Sequence, residues 1–138
     1  MNTRKKILIA LLLSLVLWGA GFFLTNSLQF GFCLHDQYSC RELLNNIGDP
    51  LVYGMPALAF IFLILLFLPQ AIPAWKKFAK WFIPLATLLF IFYGDPGSGD
   101  LFAPYPEQIF RWVSIFYVIV SIVIIAWGTI KGRNEKIN

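Results

Sequence analysis

Four stretches of this chain run apolar and free of charge: Ile7 to Leu24, Pro50 to Leu68, Trp81 to Tyr93 and Trp112 to Ile130. None shows the strict alternation of a half-buried strand. They are apolar all round, which is the pattern of a helix surrounded by other apolar matter. About 18 or more such residues in a row read as a transmembrane helix. The pattern predicts an all-α membrane protein, one transmembrane domain over residues 1–138. It predicts a bundle of four transmembrane helices, with spans at about residues 6–25, 50–68, 73–93 and 106–130.

Turn chemistry sets the expected ends. Asp49 is placed as an N-cap, because its carboxylate can accept from orphan amides, and Pro50 at the first helical position, where a missing N–H costs nothing. Leu68-Pro69 closes that helix, Pro73 and Pro106 open the next two, and Gly94 supplies a left-handed cap. The third stretch has only 13 charge-free residues, Trp81 to Tyr93. The preceding turns lengthen it: Trp75, Phe78 and Phe82 share one face, while Lys76, Lys77 and Lys80 can snorkel to headgroups.

Between the first two spans lies a loop with its own helix signal. Ser39-Cys40-Arg41-Glu42 fits a capping box, Leu43, Leu44 and Ile47 give an apolar stripe, and Gly48 a stop. The expectation is a short interfacial helix on the outer surface, separate from the second span. The later loop, Gly94 to Tyr105, is rich in glycine and proline and is expected to be irregular.

Charge orients the bundle. Lys and Arg cluster at Arg4 to Lys6, at Lys76 to Lys80 and at Lys131 to Lys136. Six of the seven acidic residues, Asp36, Glu42, Asp49, Asp95, Asp100 and Glu107, fall in the two segments between, where only Arg41 and Arg111 are basic. Basic segments stay in the cytoplasm, so both termini are expected inside, in a plasma (inner) membrane. Tyr53, Tyr93, Tyr105 and Trp112 fall at the outer boundary; Trp75, Trp81 and Trp127 fall at the inner one. The first run is longer than the apolar core of a cleaved signal peptide, so a retained helix is expected.

Composition agrees: 59% of residues are apolar and 13% charged, against roughly 45–50% and about 25% in soluble domains. The net charge of +4 is explained by anionic lipid beside the spans, so nucleic acid is not expected as a partner. The expected partners are the lipid bilayer and either another membrane protein or further copies of the chain.

Cys33 and Cys40 enclose six residues in the outer loop, where disulfides persist, and are expected to be joined. The spacing is wider than the two intervening residues of a thioredoxin-like pair. His35, with Asp36 and the cysteines, does not make the paired clusters of a zinc site. Asp95, Ser98, Asp100 and Glu107 lie in or near a glycine-rich segment, but in neither the order nor the number of a calcium loop. No catalytic, cofactor or metal residue is assigned, and no cofactor is expected.

No span carries a charge at mid-depth, the usual mark of coupled transport. Small residues do recur: Ala10, Ser14 and Gly21 on the first helix, Ser114, Ser121 and Gly128 on the last. Such faces let membrane helices approach closely, within the chain or between chains. The leading expectation is therefore a non-catalytic scaffold, accessory subunit or assembly factor. The alternative is a passive channel or small-solute transporter acting as an oligomer, its lumen lined by Ser14, Thr87, Ser114, Tyr117 and Ser121. The third is a membrane-interface enzyme using Asp49 or Asp95.

Overall fold

The computed structural model describes residues 2–93 and 105–135. Among them it is all-helical: α1 (Thr3–Thr25), α2 (Tyr38–Phe67), a 3-10 turn (Pro69–Ala71), α3 (Ile72–Tyr93) and α4 (Pro106–Glu135). Helices α1, α2 and α4 are long and apolar enough to cross a membrane. Helix α3 is long enough, at roughly 33 Å for 22 residues, but Lys76, Lys77 and Lys80 interrupt its first half.

The separate interfacial helix is not observed. Its residues and the second span form one helix of 30 residues. Ser39 lies inside the first turn, not at the cap; the cap position is Gln37, with no side-chain cap bond. Asp49 is mid-helix, and Pro50 and Pro56 are both internal. Gly48 reads as a stop, but packing accounts for it. A Cβ there would lie 2.8 Å from Thr25 Cγ2 and 3.1 Å from the Gly21 carbonyl oxygen. Helix α1 thus crosses α2 at a glycine on each side, and this contact outweighs the local breaking tendency of Gly-Asp-Pro. Proline in the interior removes one backbone bond, which neighbouring helices make tolerable in such segments.

The other ends fall close to expectation. Leu68 caps α2, with its N–H on the Ile64 carbonyl at 3.0 Å. Pro73 is in the first turn of α3, and Pro106 opens α4, which continues five residues past Ile130 to Glu135. Gly94 lies outside the described residues.

The helices pack in the order α1, α2, α4, α3, not as a closed ring. Helix α1 lies along α2 alone, presenting Ile7, Ser14 and Gly21, one buried residue every seven. Helix α4 docks between α2 and α3. At one end small residues bring it close: a Cβ on Gly128 would be 3.2 Å from the Ala74 Cβ. Further along, rings fill the α3–α4 seam, with Phe82 5.3 Å from Tyr117 and Phe90 4.7 Å from Phe110. These rings hold α3 on α4 and away from α2. The packed core is Ile61, Leu65, Ala71, Trp75, Ala79, Tyr117 and Ile125, with Ile7 at its edge. Outside it, large apolar residues are bare: Val16 is 67% exposed, Trp81 80% and Phe92 77%.

This packing sorts the charges. Arg4 and Lys5 lie beside Phe67, and the C-terminal half of α4 lies against the turn before α3. So Arg4 to Lys6, Lys76 to Lys80, Lys131 and Arg133 share one end. Asp36, Glu42, Asp49 and Glu107 share the other, with Arg41 and Arg111.

Candidate functional site

The acidic end holds a cleft of about 270 Å³ between the first turns of α2 and the start of α4. From α2 it is lined by Tyr38, Arg41, Glu42, Asn45, Asn46 and Asp49. Their spacing of three and four puts them on one face of a continuous helix. From α4 come Glu107 and Phe110, with Tyr105 and Pro106 at the mouth. The charge-free run of α2 begins at Pro50, so these polar turns precede it.

The cleft brings Asp49 and Glu107 together. Burial, and then the negative charge of Glu107, push the Asp49 carboxyl up to about 6. Arg41 lies over the Tyr38 ring, 5.8 Å from its centroid. Arg111 follows Glu107 by one turn, but it sits over Tyr53 of α2 at 5.9 Å. Asp95, Ser98 and Asp100 lie outside the described residues, so the Asp49–Asp95 pairing and the loop cation site do too.

Below the cleft runs an apolar groove of about 380 Å³. Pro50, Gly54 and Leu58 of α2 form one wall, Phe82, Ala86 and Phe90 of α3 the other, and Ser114 and Tyr117 of α4 the floor. Gly54 leaves room: a Cβ there would be an ordinary 3.6 Å from the Phe90 ring. Asn46 borders both spaces.

Several buried polar atoms here have no hydrogen-bond partner: Asn45 Oδ1 in the cleft, and the hydroxyls of Ser114 and Tyr117 in the groove. Ser121 Oγ and Trp75 Nε1, deeper in the core, are unpartnered as well. The Tyr117 hydroxyl faces both side chains, without hydrogen-bond geometry to either.

Within one chain, the five hydroxyls expected to line a lumen fall in two groups: three border the groove and two do not. Ser14 is buried against α2 and donates to the Ala10 carbonyl at 2.8 Å. Thr87 is exposed and donates to the Ile83 carbonyl at 2.8 Å. Ser121 is wholly buried, while Thr87, Ser114 and Tyr117 all border the groove. Of the small-residue faces, Gly21 meets Gly48, Leu51 and Val52 of α2, Ser14 is buried and Ala10 half-buried; Ser121 sits in the interior, and Gly128 meets Ala71 and Ala74.

Cys33 and Cys40 are at bonding distance, their Cα atoms 6.0 Å apart, and tie the loop to the first turn of α2. Among the described residues no three of His, Cys, Asp and Glu converge as metal ligands.

The sequence reading missed the cleft because it broke the helix at Gly48. Read as one helix, Arg41, Glu42, Asn45, Asn46 and Asp49 form a polar stripe entering an apolar span, a visible signal. Comparison with protein-family models, with curated proteins and with solved structures finds no match.

Proposed function

We propose that this chain is an integral membrane protein of four spans with both termini in the cytoplasm, acting as a non-catalytic scaffold or accessory subunit in a plasma membrane. The observation that carries the reading is α1. It spends one narrow stripe on α2 and leaves much of its apolar surface, including Leu12, Leu13 and Val16, exposed. Lipid suits such a surface, and so does a helix of another membrane protein. The separation of basic and acidic ends supports the orientation, with α3 crossing by snorkelling of its lysines.

Topology is tested by cysteine labelling in a Cys33→Ser/Cys40→Ser background. An impermeant reagent on intact cells should label Tyr105→Cys and spare Asn134→Cys; the reverse pattern sinks the orientation. Crosslinking in the membrane, followed by mild extraction, should give a species larger than the 15.8 kDa chain. A monomer alone would refute the scaffold reading.

A second reading, an interface enzyme, draws on the meeting of Asp49 and Glu107. It replaces the first if vesicle lipids gain a modified headgroup on incubation with the protein but not with Asp49→Asn.

A further inference from the structure

We propose that the basic end of the α1–α2 hairpin holds one anionic phospholipid. Its phosphate sits between Arg4 and Lys5, and an acyl chain runs from there along Leu8 toward the middle of the bilayer.

The site is a hollow of about 450 Å³ between the start of α1 and the end of α2. Arg4, Lys5 and Leu8 line it from α1, Leu66 and Phe67 from α2. This lining combines two cations with three apolar side chains and holds no acid. The volume falls in the range of roughly 300–1,000 Å³ typical of small-molecule sites.

Charge complementarity names the headgroup. Arg4 and Lys5 are both exposed, so their charged ends are free to reach a ligand. Arginine offers a planar fork that grips phosphate oxygens in pairs, and lysine a compact point charge. A lipid of net negative charge satisfies both. A zwitterionic lipid brings the same phosphate, but also a cation that the pair repels.

Helix geometry gives the direction. Leu8 follows Arg4 by four residues and Lys5 by three, so the three share one face of α1. Leu12 and Leu15 continue that face, and all three leucines are exposed. Across the hollow, Phe67 is 75% exposed. From the helix end inward the order is cation, then leucine, which is the order of headgroup and acyl chain in a lipid. The placement rests on the reading of α1 and α2 as membrane spans. With both termini in the cytoplasm, the lipid belongs to the inner leaflet, where anionic headgroups attract such residues.

A rival use for the two cations is to meet the last carbonyls of α2, which have no N–H of their own helix. The test separates the two. The full chain is purified in mild detergent and stripped of lipid. Phosphatidylglycerol, phosphatidylethanolamine and phosphatidylcholine of equal chain length are added, and bound lipid is counted by native mass spectrometry. Phosphatidylglycerol should bind about tenfold more tightly than the other two, and Arg4→Gln/Lys5→Gln should cut that preference to about twofold or less. Lys76→Gln/Lys77→Gln removes equal charge from the same end of the bundle and should leave the preference above about fivefold. Glycerol phosphate at matched ionic strength should not displace the lipid, since it has no chain to lie along Leu8. Equal binding of the three lipids by the unmodified protein overturns the proposal. So does an equal fall in the two double variants, which would mean diffuse charge and no site, or displacement by glycerol phosphate, which would mean a site for free anions. If Arg4→Gln/Lys5→Gln lowers the melting temperature of the lipid-free protein and leaves the preference intact, the cations serve α2, which also overturns it. Detergent has no inside or outside, so these outcomes stand apart from the orientation, which cysteine labelling decides.

Discussion

Helix α2 uses glycine in opposite ways toward α1, which it touches, and toward α3, which lies across the groove. Against α1 it presents Gly48 to Gly21, so closely that a methyl group on either has no room. Toward α3 it presents Gly54, and there the same residue type opens a groove instead of closing a contact. The difference lies in what stands opposite. On α1 the facing residue is itself small, and backbone meets backbone. On α3 the facing residue is Phe90, whose ring is spent on Phe110 of α4. Small residues in a membrane helix therefore mark an interface only when the partner is small as well.

Enlarging the glycine contact should have the largest effect. Gly48→Leu drives a side chain into Thr25, Leu24 and the backbone of α1, and should lower stability by about 3 kcal/mol, the upper range for overpacking. Gly19→Ala on the same helix face as nothing at all should be neutral or slightly stabilising, since no atom lies within 4 Å and alanine favours helix. Thermal unfolding in detergent separates the two. Equal losses would mean that the glycine crossing is not what holds α1.

Removing the disulfide loosens the same side of α2. Closing eight residues stabilises by roughly 2.5 kcal/mol in the chain-entropy model, so Cys33→Ser/Cys40→Ser should lose about that much. If reductant leaves the melting temperature of the unmodified protein unchanged, the bond contributes nothing.

On the α4 side, Ser121→Leu should cost about 2 kcal/mol, because Ser121 is wholly buried. Val123→Leu should cost little, because Val123 is 59% exposed and lipid adjusts around it. Similar losses would show that burial within the chain does not govern this helix.

The smallest effect belongs to the cleft. Asp49 holds its proton more tightly when folded, at about 6 against an ordinary 3.8. Its contribution to stability is therefore full below about pH 4 and lost as pH rises through about 6. Asp49→Asn should flatten the fall in melting temperature between about pH 4 and about pH 7. An unchanged slope would assign that fall to other groups.

The helices were legible because apolar runs and proline positions are local signals. The starts near Pro73 and Pro106 and the close at Leu68 follow from chemistry within a turn or two. The unity of α2 was not legible in that way. Ser39, Gly48 and Asp49-Pro50 each carry a true local preference, and the structure overrides all three at once through the crossing at Gly21, which is distant in sequence. The error spread to the site: with α2 cut at Gly48, its polar stripe looked like loop chemistry. Ser121 and Gly21 stood out by spacing alone, but which helix each would face needed the fold. Glu107 and Arg111 are one turn apart on α4, but Asp49 and Tyr53, their neighbours across the cleft, are on α2, which no spacing along the chain reveals.

The order of helices along the row has a bearing on biosynthesis. The α1–α2 pair joins segments next to each other in the chain, so it can form while the ribosome is still making the rest. The groove is different. Its floor is α4, the final helix made, and without Ser114, Tyr117 and Val113 there is only a gap between α2 and α3. Domains of a nascent chain generally settle from the N-terminus onward. A chain interrupted after α3 would thus carry a finished hairpin and no groove, and the arrival of α4 is the step that completes it.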